Sequence, residues 1–436
     1  MKKGFFYTRA SNLKDSLPSE LFFGRQYFFV RKLLRMQEKE IRGDSLDLLI
    51  RKRLAGLLKN TLLYVPFYID TVKIKPDQIN TGNVFDILKS FPYLEKKTIM
   101  GNQKDFINRR YNKKNLFYFT SAGSTGEGIG VWRTKQEIEA KQAFLDHELS
   151  KFGSKISGSK MAICSSSARK KASEPPCERR GRLLMVSPYH FNKQYIESVY
   201  VELKKFQPDY IYIYPSCMAE LAEFIIEMGK PVFECKGIIF MAEALMPCQY
   251  QFLRKAFKSP MRIFYSLTEG TNIAYSGEGQ DIFKYTLNPL YSFSENRIDD
   301  KGFFEIVGTS YWNLAMPLIR YCTQDYGLIE KDVINCLDGR KQDLLYAKNG
   351  GVITGVSVKI DEFTWDYVYD YQIIQEIKGE IIIKVVPRHN FNTSVKNRIL
   401  EKQKERWGYF FDIKLEVVDT IPRTNAGKRR LIVGLI

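Results

Sequence analysis

The chain has 436 residues, 44% of them apolar, with 30 Phe, 26 Tyr and a formal net charge of +18. That length exceeds what one hydrophobic core usually serves, and the aromatic content is too high for a disordered chain, so a globular protein of two or more domains is expected. A basic surface attracts polyanions, but the lysines and arginines are spread along the whole chain. No recognised nucleic-acid module and no basic stripe interleaved with aromatics accompanies them, so no nucleic-acid partner is expected.

In chain order, Arg25 interrupts the apolar patch from Leu21 to Val30. No stretch is long and apolar enough for a membrane span or a secretion signal, and a cytoplasmic protein is expected. Leu and Ile at helical spacing among Arg and Lys predict an amphipathic helix over 46–64, ending before Val65-Pro66-Phe67-Tyr68. Helical stretches at 136–152 and 195–206 then alternate with short apolar runs at 161–164, 211–214, 237–240 and 262–265. Such alternation predicts an α/β layered architecture. A further run at 302–307 follows the turn-forming Asp299-Asp300-Lys301-Gly302. The large domain is expected to occupy residues 1–338. Beyond Gly339, strand-like runs at 380–386 and 414–418 flank a helical stretch at 393–407, which predicts a compact α+β domain over 339–436. Seven cysteines show no C-x-x-C pair and no zinc spacing, and are expected to be reduced and packed.

Four segments carry residue types suited to nucleotide chemistry. In Thr120-Ser121-Ala122-Gly123-Ser124-Thr125-Gly126, hydroxyls interleave with glycines, and nothing bulky shields the backbone from a phosphate. The segment does not fit G-x-x-x-x-G-K-[ST], which excludes a Walker loop. Tyr265-Ser266-Leu267-Thr268-Glu269-Gly270 follows a strand-like run and sets an aromatic ring, hydroxyls and a carboxylate at the strand's carboxyl end, where α/β sheets bind ligands. Its plain alternative is the start of a helix, since Thr and Glu commonly stand there. Asp325 can accept from two ribose hydroxyls and Arg340 can reach a phosphate, with a surface ion pair as the default alternative. Near the C-terminus, Lys428 follows the small turn Arg423-Thr424-Asn425-Ala426-Gly427, which suits a mobile cation, although basic tails are usually solvated charge.

In this order and spacing the four segments resemble those of the adenylate-forming superfamily of acyl-CoA synthetases, peptide-synthetase adenylation domains and luciferases. Ser121 to Gly126 resembles T-S-G-S-T-G, Tyr265 to Glu269 resembles Y-G-x-T-E, the run to Asp325 resembles Y-R-T-G-D, and Arg423 to Lys428 resembles P-R-T-x-S-G-K. Val65-Pro66-Phe67-Tyr68, Pro188-Tyr189-His190, Tyr214-Pro215-Ser216 and Ala242-Glu243-Ala244-Leu245 further resemble the phenylacetate-CoA ligase branch, in particular its capsular polysaccharide biosynthesis members. The resemblance implies a large N-terminal adenylate-forming domain of layered sheets and helices with a small mobile C-terminal lid. It implies ATP and Mg²⁺ as cofactors, a small-molecule carboxylic acid as substrate, and CoA, a carrier-protein thiol or an amino-sugar or other amine as acceptor.

Carried over by position, Ser121, Gly123, Ser124, Thr125 and Gly126 would hold the β- and γ-phosphates. Tyr265 would pack on adenine with Ser266 beside it, Glu243 would neighbour the adenine pocket, and Thr268 would meet the α-phosphate. Glu269 would bind Mg²⁺, Asp325 the ribose and Arg340 the nucleotide; Gln342 would be the hinge, and Lys428 would bridge carboxylate and α-phosphate. His190 is placed either along the acyl pocket or as a structurally satisfied residue. Against the family pattern, Ala122 and Cys322 replace a serine and an arginine, while Ser266 and Gln324 replace glycines. A catalytically inactive relative acting as a scaffold in glycan assembly is the alternative, and the retained Glu269, Asp325 and Lys428 argue against it.

Overall fold

The computed structural model describes residues 22–436 apart from 121–127, 153–157, 166–167, 169–173, 336, 338, 341–342, 356–357, 359, 425–426 and 436. The expected phosphate loop from Ser121 to Gly126 and the hinge residue Gln342 therefore lie outside the described residues.

At the centre, five short parallel strands lie side by side in the order Leu183–Val186, Met161–Cys164, Tyr210–Ile213, Gly237–Met241 and Met261–Ser266. Antiparallel strands extend this sheet on both sides to ten. The helices Ile196–Phe206, Pro215–Glu227 and Pro247–Ala256 make the crossovers that parallel pairing requires. Both faces are covered, which explains why the runs are apolar throughout rather than alternating. Tyr210, Ile239, Phe264 and Tyr275 join the helices Arg25–Lys39, Asp44–Tyr64 and Lys135–Ser150 in one core. Ile211, Ile213, Ile238, Phe240 and Ile263 point the opposite way, into a second core with the crossover helices.

The predicted helix at 46–64 begins at Asp44, where Asp44 and Asp47 complement the positive end of the helix dipole. The strand expected over 302–307 runs instead from Phe304 to Ser310. Gly302 is spent on the turn, at φ +81°, with the Asp299 carboxylate accepting from the Lys301 and Phe303 amides.

This strand belongs to a separate antiparallel sheet ordered Ser292–Ile298, Phe304–Ser310, Tyr321–Tyr326, Gly339–Arg340. Arg320 fastens that sheet to the N-terminal helical layer. Its guanidinium grips Glu295 through Nε–Oε1 at 2.8 Å and Nη2–Oε2 at 2.9 Å, and Nη1 donates to the carbonyls of Lys89 and Phe91, both at 3.1 Å. It also lies 3.9 Å from the Tyr93 ring centroid. Across the same seam the Leu94 amide donates to the Arg320 carbonyl at 2.9 Å and the Cys322 amide to the Leu94 carbonyl at 3.0 Å, fixing the start of the strand that carries Asp325.

The C-terminal unit has its own core, running from Leu345 to Ile432. Its sheet is ordered Asp412–Val417, Glu380–Pro387, Val368–Ile374, Ile432–Val433, with the helix Thr393–Trp407 packed against it. Gly339 and Arg340 are paired in register with Tyr326 and Asp325, so these two residues are part of the preceding sheet.

Candidate active site

The carboxyl ends of the parallel strands all open on one edge of the sheet, the place where ligands bind in α/β folds. Ser187-Pro188-Tyr189-His190 leaves one strand there, Tyr214-Pro215-Ser216 the next, Ala242-Glu243 the third, and Leu267-Thr268-Glu269-Gly270 the fourth. No helix follows Glu269, so the helix-start alternative for this segment does not hold; the chain turns at Gly270, φ +74°, into the strand Ile273–Ser276.

Asp325 reaches this edge from the neighbouring sheet. Its Oδ2 accepts from the Tyr265 hydroxyl at 2.9 Å and its Oδ1 from Arg340 Nε at 2.7 Å, and the group is buried. Burial, reinforced by the Asp325 charge, pushes the Tyr265 phenol well above its ordinary range, so it stays a donor. Four residues back along the same face, the Tyr321 hydroxyl donates to Glu269 Oε1 at 3.2 Å. Tyr321, Thr323 and Asp325 thus share the face turned to the site. Cys322 faces the other way, 3.2 Å from Arg297 Nη1. The departure at Cys322 therefore falls outside this constellation, as strand alternation requires.

The two glycine replacements differ in cost. Ser266 is an ordinary strand residue paired with Ile273, so no glycine conformation is required there. Gln324 sits at φ +64° on an exposed position, a left-handed conformation that costs a side chain about 1 kcal/mol. Gln324→Gly is accordingly expected to stabilise the protein by about 1 kcal/mol, roughly 2 °C in Tm. A calorimetric scan showing no rise would remove the strain argument.

A line of buried charge lies directly behind the Leu267–Gly270 segment. Arg133 and Glu137 are 4% and 1% exposed, a level that charged side chains reach only when paired. Arg133 donates to the carbonyl of Thr268 and lies 3.4 Å from Glu137; Lys141 donates to the carbonyl of Leu267 at 3.1 Å. Burial, then the nearby Arg133, pushes the Lys141 ammonium down to about 7. The i, i+4, i+8 spacing of these three residues was the available sequence signal, but it reads equally well as a solvated helix face. Arg133 also ends the hairpin of Phe117–Thr120 with Gly130–Arg133, and its guanidinium covers the Phe119 ring at 4.9 Å.

Lys428 comes from the C-terminal unit on a tight turn, with the Thr424 amide bonded to the Lys428 carbonyl at 2.8 Å and Gly427 at φ +72°. An added Cβ at Gly427 would strike Pro188, so glycine is what lets this turn press onto the Ser187–His190 loop. Burial and the Arg340 guanidinium depress the Lys428 ammonium, against the opposing pull of Glu243, Asp325 and Glu269. Glu243 accepts from the amide and hydroxyl of Ser216, both at 3.1 Å, and from the Arg429 amide at 2.7 Å. It stands between the sheet edge and the Lys428 turn. His190 is buried, its Nδ1 2.8 Å from Ser187 Oγ.

The architecture is that of the adenylate-forming acyl-CoA ligases. A 2-hydroxyisobutyryl-CoA ligase in its postadenylation state superposes with a TM-score of 0.68 over 88% of both chains at 16% identity. The same ligase in its thioesterification state, with CoA, gives 0.54 over 88% and 89%. The amide bond synthetase McbA from Marinactinospora thermotolerans gives 0.51 over 74% of this chain and 70% of that one, at 14% identity. Residues 345–434 match the CapK C-terminal domain family, and protein CapK of Staphylococcus aureus is 24% identical over 455 residues, covering 98% of this chain and 97% of that protein. Among the described residues no helix is long and apolar enough to cross a membrane, and no group of three or more His, Cys, Asp or Glu could by itself hold a metal.

Proposed function

We propose that this protein activates a carboxylic acid as its acyl-AMP, using ATP and Mg²⁺ and releasing pyrophosphate, and then passes the acyl group to CoA, a carrier-protein thiol or an amine. The setting is capsular or surface polysaccharide assembly in the cytoplasm, a reading supported by the likeness to CapK. Residues 1–338, with Gly339 and Arg340 of the same sheet, form the ATP- and acid-binding domain, and the rest of the chain to residue 436 is the lid. The observation that carries the reading is Lys428, which stands on a turn of the C-terminal unit within electrostatic reach of Glu243, Asp325, Glu269 and Arg340.

In this scheme Asp325, oriented by Tyr265 and Arg340, takes the ribose, and the Tyr265 ring lies along adenine. Thr268 donates to the α-phosphate, while Ser121, Gly123, Ser124, Thr125 and Gly126 cradle the β- and γ-phosphates. The attacking carboxylate and the α-phosphate are both anionic, so catalysis is chiefly alignment and charge neutralisation. Lys428 supplies the cation between them, and no covalent nucleophile is needed. Glu269 fits a Mg²⁺ site, because that ion is commonly held by one or two carboxylates with waters and substrate phosphates completing the shell. An ion held there by Glu269 would supply neutralisation of the phosphate charge.

The test is pyrophosphate release with ATP and Mg²⁺ across a panel of aryl, fatty, hydroxy and amino acids. Release that depends on one class of acid is expected. A folded protein that releases none with any acid would instead fit the scaffold alternative.

A further inference from the structure

The turn that carries Lys428 is fastened to the body of the protein mainly at one helix, Pro215–Glu227. Arg423 and Arg429 form the two stems of this turn and are joined to each other by a backbone bridge. Both guanidinium groups converge on a single carboxylate: Arg423 Nη2 donates to Glu220 Oε1 at 2.8 Å, and Arg429 Nη2 shares the same oxygen. Arg423 Nη1 also reaches Ser216 Oγ at 2.9 Å and the Gly427 carbonyl at 3.1 Å, so one side chain ties the stem, the tip and the helix together. One turn further along, Glu223 pairs with Arg388 of the C-terminal unit, whose guanidinium covers the Phe252 ring at 4.7 Å.

Glu220 and Glu223 are 3% and 6% exposed on a helix whose buried positions otherwise include the apolar Cys217, Met218, Ala219, Leu221, Ala222 and Ile225. Two buried carboxylates are tolerated on such a helix only because arginines from the other unit neutralise them. An apolar junction would resist separation by its full buried area. A charged one exchanges ion pairs for hydration, so it can part and re-form at small net cost. In the arrangement these ion pairs join, the chain is more similar to the postadenylation state of the 2-hydroxyisobutyryl-CoA ligase than to its thioesterification state.

We propose that Glu220 is a positioning residue that seats the Lys428 turn for the activation step, and that together with Glu223–Arg388 it forms a charged latch that opens for the transfer step. The proposal rests on the function given above. In that transfer, the thiol sulfur of CoA bonds to the acyl carbon as the acyl–phosphate bond breaks, AMP leaves, and the thiol proton passes to solvent. The Lys428 turn takes no part in this step.

Two measurements on Glu220→Gln test the latch, with an acid chosen from those that support pyrophosphate release. Adenylate formation is expected to fall about 10- to 100-fold, the range that follows a misplacement of about 1 Å, with KM for ATP little changed. CoA-thioester formation from the preformed acyl-adenylate should be unaffected or faster. Equal losses in both half-reactions would mark Glu220 as merely structural, and no loss in either would overturn the proposal. Small-angle scattering of the ligand-free protein supplies the second readout, which needs no substrate. The double variant Glu220→Gln/Glu223→Gln should be more extended than wild type, whereas identical curves would refute the latch even if the acid remained unknown. Absence of pyrophosphate release by wild type would count against the function alone.

Discussion

Lys428→Ala is expected to lower acid-dependent pyrophosphate release by about 10²- to 10³-fold, the usual effect of deleting one preorganised charge-stabilising donor. Its effect should fall on kcat, because the ammonium matters most where carboxylate and α-phosphate oxygens crowd one another in the transition state. Lys428→Arg should not restore the rate, since a planar fork on a longer stem cannot occupy the place of a compact point charge. Burial and Arg340 together depress the lysine, so its neutral form appears at lower pH than for a solvated lysine. The alkaline limb of the pH–rate profile should accordingly fall early in wild type and vanish from whatever activity the alanine variant retains. Transfer from a preformed adenylate, measured on the same variant, separates lost chemistry from lost folding. Unimpaired pyrophosphate release in Lys428→Ala would end the catalytic assignment.

Much of the frame was legible because local signals and tertiary structure agree. The helix at 393–407 appears with those bounds: Asn392 caps it, its side chain accepting from the Val395 amide at 3.0 Å, and Gly408 follows its last residue. The parallel strands were legible as short apolar runs separated by amphipathic helices. The partners of each site residue were not, because long-range pairing leaves no trace in neighbouring residues. Nothing near Arg340 announces that it stands opposite Asp325 across a strand pair, or that its Nε bonds that carboxylate. Glu243, expected beside the adenine pocket, is engaged with Ser216 and the Arg429 amide. The replacements at Ser266, Cys322 and Gln324 look alike as departures from a pattern. Backbone angle and strand face separate them: one needs no glycine, one turns away from the site, and one carries strain.

The second large effect concerns the buried charges behind Thr268. Glu137→Leu is expected to cost about 3–5 kcal/mol, because it leaves Arg133 and Lys141 buried without their shared counter-charge. Lys141→Met should instead be neutral or stabilising at neutral pH. Folding lowers the lysine from an ordinary 10.5 to about 7, so between those values the unfolded chain binds more protons than the folded one. The penalty of keeping this lysine is therefore full below about pH 7 and fades as pH rises toward 10. The advantage of the methionine variant over wild type should shrink across the same interval, and urea midpoints of the two proteins compared at several pH values would show it. Taking the difference between the two proteins removes the contribution of the cysteines, whose raised values act in the opposite direction. In the double variant, Glu137→Leu/Lys141→Met, one unpaired cation is gone, and the loss should be less than the sum of the single effects by about 1–3 kcal/mol. Strict additivity would mean that the two side chains do not sense each other. Because Arg133 and Lys141 hold the carbonyls of Thr268 and Leu267, Glu137→Leu should also slow adenylate formation in protein that remains folded. This joins the stability of one buried helix face to the placement of Glu269.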